Sequence, residues 1–121
     1  MNLAEKIKIE NVVASTDIKK IISLDKLITI LPASEYEPEQ FPGLVYRLDE
    51  PRVATLIFRS GKIICVGARS ISAAKEALRK TVKNIKKVGI RVNENAIRVK
   101  IENIVVAINY GKELNLDQLA F

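Results

Sequence analysis

Histidine and tryptophan are absent from the sequence, and Cys65 is its only cysteine. No disulfide can close within the chain, and the imidazole and thiolate ligands of an ordinary zinc site are missing. There is also no glycine-rich phosphate loop and no constellation of acid, base and nucleophile, so catalysis is not expected, nor is a cofactor or a metal. Cys65 stands in the apolar run Ile63-Ile64-Cys65-Val66, where a thiol serves as a small packed hydrophobe. No apolar run approaches the roughly 20 residues of a membrane span. Met1 to Glu10 mixes charges where a signal peptide keeps a continuous apolar core. These absences lead to the expectation of a soluble, intracellular protein with no membrane partner.

What is present is a domain-sized chain of 121 residues, 48% hydrophobic, long enough to bury a core without a disulfide or a structural metal. Its 20 Lys and Arg outnumber 14 Asp and Glu. The resulting net charge of +6 and pI near 9.6 suit an anionic partner such as nucleic acid or an acidic membrane.

Ile7 to Ser15 alternates and then becomes continuously apolar, which reads as a strand ended by the polar Ser15-Thr16-Asp17. Ser23 can cap a short helix that begins at Leu24 and stops at Pro32. The segment from Tyr36 to Gly43 holds Pro38, Pro42 and Gly43 and reads as an ordered turn. Leu44 to Leu48, Val53 to Phe58 and Ile63 to Gly67 follow at hairpin spacing, an antiparallel series. From Ser70 to Val88 the period changes to that of a helix, with Ile71, Ala74, Leu78, Val82 and Ile85 on one stripe and Gly89 beyond its end. Its other face carries Lys75, Arg79, Lys80, Lys83, Lys86 and Lys87, either a solvated face or a binding surface. Another strand is expected from Ala96 to about Ala107.

The two ends of the chain repeat one another. Ile9-Glu10-Asn11-Val12-Val13 is matched 92 positions later by Ile101-Glu102-Asn103-Ile104-Val105, and each match is followed by a polar break and a leucine-rich helix start. The expectation is one full unit followed by the opening of a second, which stops inside an apparent helix from Leu116 to Phe121.

In the central strands Val53, Thr55 and Ile57 take one side of the sheet while Ala54, Leu56 and Phe58 take the other, and both sets are largely apolar. An antiparallel sheet with one solvated face shows polar residues outward, and this one does not. Either helices cover both faces or one face awaits a partner. One long helix and one or two short ones suffice for a single side of the expected five-stranded sheet, which favours an exposed apolar interaction face.

The run from Tyr36 to Leu48 (YEPEQFPGLVYRL), Glu50-Pro51, the run from Leu56 to Lys62 (LIFRSGK) and Gly67-Ala68-Arg69-Ser70 resemble the archaeal TATA-box-binding proteins closely. The likeness extends from about Ile7 to Phe121. It implies an α+β fold, a curved antiparallel sheet with helices on its convex face, with residues 1–95 as the first repeat and residues 96–121 as the opening strand and helix of an incomplete second repeat. It also implies a general transcription initiation factor that binds and bends the A/T-rich TATA box through the minor groove and recruits transcription factor B and RNA polymerase. That family is itself a standard example of minor-groove binding by intercalating side chains.

By the same resemblance Phe41 and Phe58 wedge into a base step and kink the duplex. Asn11 and Asn103 face the central base pairs, and Val13, Leu56, Ile64, Val66 and Val105 line the floor. Arg47, Lys62 and Arg69 lie beside phosphates, where cations fix register and make affinity fall with salt. Glu37 and Glu39 lie in the stirrup loop and resemble the acidic contacts offered to transcription factor B. The implied location is the cytoplasm, in association with the nucleoid. Val66 stands where a threonine is common and Ala107 where a serine is usual, and both changes remove polar reach. The chain is expected to be a fragment, a half whose second unit is a separate chain, or a homodimer of single units, with the first two ranked above the third. The rival reading is a protein-interaction module or regulator of the same origin that does not recognise DNA sequence.

Overall fold

The opening alternation builds β1 (Ile7–Asp17). The computed structural model describes residues 7–108 and 112–115 and carries this strand past the polar break expected at Ser15. The reason is that the polar side chains are paired there. Ser15 Oγ donates to Glu102 Oε1 at 2.6 Å, and Thr16 Oγ1 donates to the Arg98 carbonyl at 2.7 Å. Both residues are 4% exposed, so the ladder continues with its buried hydroxyls satisfied.

Ser23 caps α1 (Leu24–Ile30) as expected, its hydroxyl accepting from the Lys26 N–H. Leu24, Leu27 and Leu31 are buried. A short strand, β2 (Ser34–Glu35), then lies on β3 (Leu44–Leu48), followed by β4 (Val53–Ile57) and β5 (Lys62–Ala68). Gly61, at φ +98°, turns β4 into β5, and the Phe58 N–H donates to the Lys62 carbonyl across that turn at 2.9 Å. Ser70 caps α2 (Ile71–Lys87) by accepting from the Ala73 N–H at 3.0 Å, and Lys86 and Lys87 oppose the negative end of the helix dipole.

The connection after α2 departs from expectation. Residues 94–96 form a 3₁₀ turn, capped by Asn93, so the strand expected from Ala96 begins at Lys100 as β6 (Lys100–Ile108). Beyond it, where a polar break was expected, β7 (Lys112–Asn115) pairs with the outer edge of β6. A bare edge leaves ladder groups unpaired, and even a short strand satisfies them. The expected helix Leu116 to Phe121 lies outside the described residues.

Among the described residues the strands form one seven-stranded sheet in the order β2-β3-β4-β5-β1-β6-β7, with every neighbouring pair antiparallel. The first strand is thus internal to the sheet, which requires it to be apolar on its covered side. Ala74, Ala77, Leu78, Val82 and Ile85 of α2 are buried with Val12, Ala14, Ile57, Ile63 and Cys65 of the sheet. Burying a leucine such as Leu78 stabilises the fold by about 1.5–3 kcal/mol. The few polar groups in this layer find partners: Thr81 Oγ1 lies 3.2 Å from Thr55 Oγ1 and 2.9 Å from the Ala77 carbonyl, and Asn84 Nδ2 donates to Tyr46 Oη at 2.8 Å.

Cys65 is fully buried, and desolvation pushes its thiol up from 9.0 to about 11. The native state therefore holds that proton more tightly than the unfolded chain does. The stabilising contribution is complete below pH 9 and is lost as pH rises through about 11. Urea unfolding measured across that window should show a decline in stability that is smaller in Cys65→Ala.

Candidate nucleic-acid interface

The sheet face opposite α2 is apolar and only half covered. Along β4 the burial alternates, with Val53, Thr55 and Ile57 buried and Ala54 and Leu56 half-buried. β5 repeats the pattern, with Ile63 and Cys65 buried and Ile64 and Val66 half-buried. Register aligns these exposed halves, because Leu56 stands opposite Ile64 and Ala54 opposite Val66. Residues directly opposite on adjacent strands project to the same side. Ser15 of β1 stands opposite Ile64, and in the ladder between β1 and β6 Asn11 stands opposite Val105 and Val13 opposite Asn103. The five floor residues expected from the sequence, Val13, Leu56, Ile64, Val66 and Val105, therefore share one face with Asn11 and Asn103.

Phe41 and Phe58 meet just beyond the end of this floor. Their ring centroids are 5.8 Å apart in an edge-to-face arrangement, and Phe41 is 38% exposed. The turn that presents Phe41 is closed by the Glu37 carbonyl, which accepts from the Gln40 N–H at 2.9 Å and the Phe41 N–H at 3.0 Å. Gly43 makes the ring pair possible. A Cβ at that position would lie 2.8 Å from Phe41 Cε2 and 3.0 Å from Phe58 Cε1. The sequence marks Gly43 as a turn residue, but nothing in the sequence announces that two rings occupy the space its side chain would need.

The Asn11 amide is oriented by the backbone. Its Oδ1 accepts from the Gly67 N–H at 3.0 Å. Because that donor is a backbone N–H, the oxygen must face it, and the NH₂ group is left to donate elsewhere. The minor groove of A·T pairs offers only acceptors, so an amide held this way presents the matching group.

The cations are distributed around the floor. Arg47 stands opposite Ala54, hence on the same face, and pairs with Glu35 at 2.9 Å. Both partners are more than half exposed, and such a pair contributes about 0–1 kcal/mol, so its guanidinium can exchange to another anion. Lys62 is exposed on the side of Ile64, and Arg69 is exposed one residue before the cap of α2. Glu37 and Glu39 are exposed in the turn before Phe41. The floor also includes Val45, which stands opposite Leu56, and Ala54; strand alternation is the signal that identifies both. Among the described residues no group of three or more His, Cys, Asp or Glu could hold a metal ion, and no helix is long and apolar enough to cross a membrane.

Comparison with known proteins gives a consistent pattern. The family model described as transcription factor TFIID, or TATA-binding protein, matches residues 6–88. The chain is 49% identical over 118 residues to TATA-box-binding protein B of Halobacterium salinarum, covering 98% of this chain and 63% of that protein. It is 53% identical over 114 residues to the TATA-box-binding protein of Methanocaldococcus jannaschii, covering 94% of this chain and 62% of that protein. A solved structure titled Methanococcus jannaschii TBP superimposes with a TM-score of 0.77 at 52% identity, over 96% of this chain and 66% of the other. The chain thus spans a little under two thirds of the length of the curated relatives it matches.

Gly43→Ala forces the Phe41 and Phe58 rings apart. The aromatic NMR resonances of both should move, while the helical circular dichroism is retained and Tm falls by no more than about 5 °C, equivalent to about 1 kcal/mol in a domain of this size. Unchanged aromatic shifts would show that the glycine does not hold the pair in place.

Proposed function

The chain belongs to the TATA-binding protein family, and from that premise we propose that its open apolar face grips A/T-rich promoter DNA through the minor groove as a general transcription initiation factor. One observation carries the reading. The face opposite α2 combines an apolar floor, an amide with its donors outward and an aromatic pair just beyond one end. Each component matches a property of that groove. Its walls are sugar edges that pack against Val13, Leu56, Ile64, Val66 and Val105. Its base edges accept from Asn11 and Asn103.

The ring pair supplies the deformation. Phe41 and Phe58 enter one base step, at an unstacking cost of a few kcal/mol that is offset by the wider contact a bent duplex makes with the sheet. Arg47, Lys62 and Arg69 take phosphates and set the register. Glu37 and Glu39, projecting from the turn, are the candidate contacts for transcription factor B, through which RNA polymerase is recruited. The chain works in the cytoplasm on nucleoid DNA and has no catalytic step.

A second unit belongs to the same proposal. Residues 1–95 form one repeat, and residues 96–121 open another. Val12 and Ala14 are 0% exposed beneath α2, whereas their repeat mates Ile104 and Val106 are only half-buried. That contrast supports a covering helix supplied by a second repeat.

Binding to an A/T-rich duplex and to a scrambled duplex across a salt series tests the proposal. The A/T-rich duplex should bind more tightly at every salt concentration, and equal affinities would refute sequence recognition. Phe58→Ala should weaken binding by roughly tenfold, about 1.4 kcal/mol. Lys62→Ala should lower the slope of log affinity against log salt by about 1.

A further inference from the structure

The ladder between β1 and β6 is interrupted at two residues that the internal repeat makes equivalent. Glu10 stands unpaired between the pairs Ile9–Val106 and Asn11–Val105, and Glu102 stands unpaired between Ile101–Ala14 and Asn103–Val13. A bulge re-aims the side chain it carries. At Glu102 the new direction is toward Ser15, whose Oγ donates to Oε1 at 2.6 Å, while Oε2 lies 3.9 Å from Lys100 Nζ.

Register fixes the side of the sheet on which this pair sits. Ser15 stands opposite Ile64, and Ile64 stands opposite Leu56, so Ser15 and the carboxylate it holds belong to the open apolar face. The Glu102 side chain is 31% exposed and can be reached from that side. Above all the Ser15 hydrogen bond, and then the charges of Lys100 and Lys62, hold its carboxyl below the usual 4.5, against some desolvation in the opposite sense. Glu102 is ionised at neutral pH and can only accept hydrogen bonds.

The face therefore carries polar sites of opposite character. Asn11 has its oxygen engaged by the Gly67 N–H and offers donors. At the other site Ser15 directs its only hydroxyl proton to Glu102, leaving lone pairs and a carboxylate. In the minor groove both orientations of an A·T pair offer acceptors only, and the 2-amino group of guanine is the single donor. An acceptor site there has one available base partner. The residue 92 positions after Ser15 is Ala107, which has no hydroxyl to hold a carboxylate, so the sequence does not reproduce this site in its repeat.

We propose that Glu102 is a specificity-determining residue of the DNA-binding face, accepting the 2-amino group of one guanine at a single position within an otherwise A/T-selective site. Ser15 is the positioning residue that holds the carboxylate over the groove. The inference rests on the minor-groove reading above and adds to it a base pair that the rest of the face does not favour.

The test uses the full chain and a set of A/T-rich duplexes, each with one G·C pair at a different position. Each is compared with the same duplex carrying inosine in place of guanine, which removes only the 2-amino group. The wild-type chain should bind one G·C duplex about tenfold more tightly than its inosine counterpart, the discrimination expected for one base contact. Glu102→Ala should abolish that difference, Ser15→Ala should reduce it, and both should leave affinity for the all-A/T duplex within about threefold of wild type. The proposal is overturned if the wild-type chain prefers A/T-rich over scrambled DNA yet favours no G·C duplex over its inosine partner. It is also overturned if Glu102→Ala raises affinity equally for every duplex, which would make the carboxylate a general repulsive charge. Failure of the wild-type chain to prefer A/T-rich DNA at all would remove the minor-groove reading together with this one.

Discussion

The packing of α2 against one side of the sheet is the constraint on which the rest of the molecule depends. Its buried stripe of Ala74, Ala77, Leu78, Val82 and Ile85 closes the core over β1, β4 and β5. The opposite side keeps Leu56, Ile64, Val66 and Val13 half-buried, with no helix against them among the described residues. Such a sheet is stable because one side supplies its hydrophobic burial. It is adhesive because the other side remains apolar. Three of the polar groups on the open side are held by partners: Asn11 by a backbone N–H, Ser15 by Glu102 and Arg47 by Glu35.

The proposed function uses this asymmetry directly. A preformed floor does not have to order itself when DNA arrives, so less of the contact energy is lost to conformational entropy. Phe41 and Phe58 already touch one another, and the turn carrying Phe41 is closed by backbone hydrogen bonds. The cost of binding then falls mainly on the DNA, which must unstack and bend. On the proposed reading, sequence preference arises from how easily the duplex deforms as well as from the amides and the carboxylate on the open face.

Much of this arrangement was legible in the sequence, and the reasons differ by element. Alternation in Val53 to Phe58 assigns each residue to a face, and the heptad-like stripe from Ser70 to Val88 identifies the covering helix, because both patterns are direct consequences of side-chain direction. Ser23 was readable as a cap because its side-chain oxygen can accept from a first-turn N–H. The resemblance of the Tyr36 to Gly67 region supplied the family, while residue spacing alone supplied only an exposed face of unknown partner. What alternation cannot show is a bulge, since one extra residue shifts the phase: Glu10 and Glu102 look like ordinary strand positions in the sequence. Nor can it show contacts made across 87 positions, such as the one between Ser15 and Glu102 that lets β1 run on to Asp17. The edge strands Ser34–Glu35 and Lys112–Asn115 are too short and polar to carry a periodic signal. Gly43 was hidden because its role is defined by two rings brought together only in the fold.

The central claim is that an apolar sheet face with an aromatic wedge bends the DNA it binds. Energy transfer between dyes at the two ends of an A/T-rich duplex, recorded on addition of the full chain, measures this most directly. The account predicts a shortened end-to-end distance that reverts toward the straight-duplex value when both Phe41 and Phe58 are replaced by alanine. Tight, sequence-selective binding that leaves the wild-type complex as straight as free DNA would contradict it.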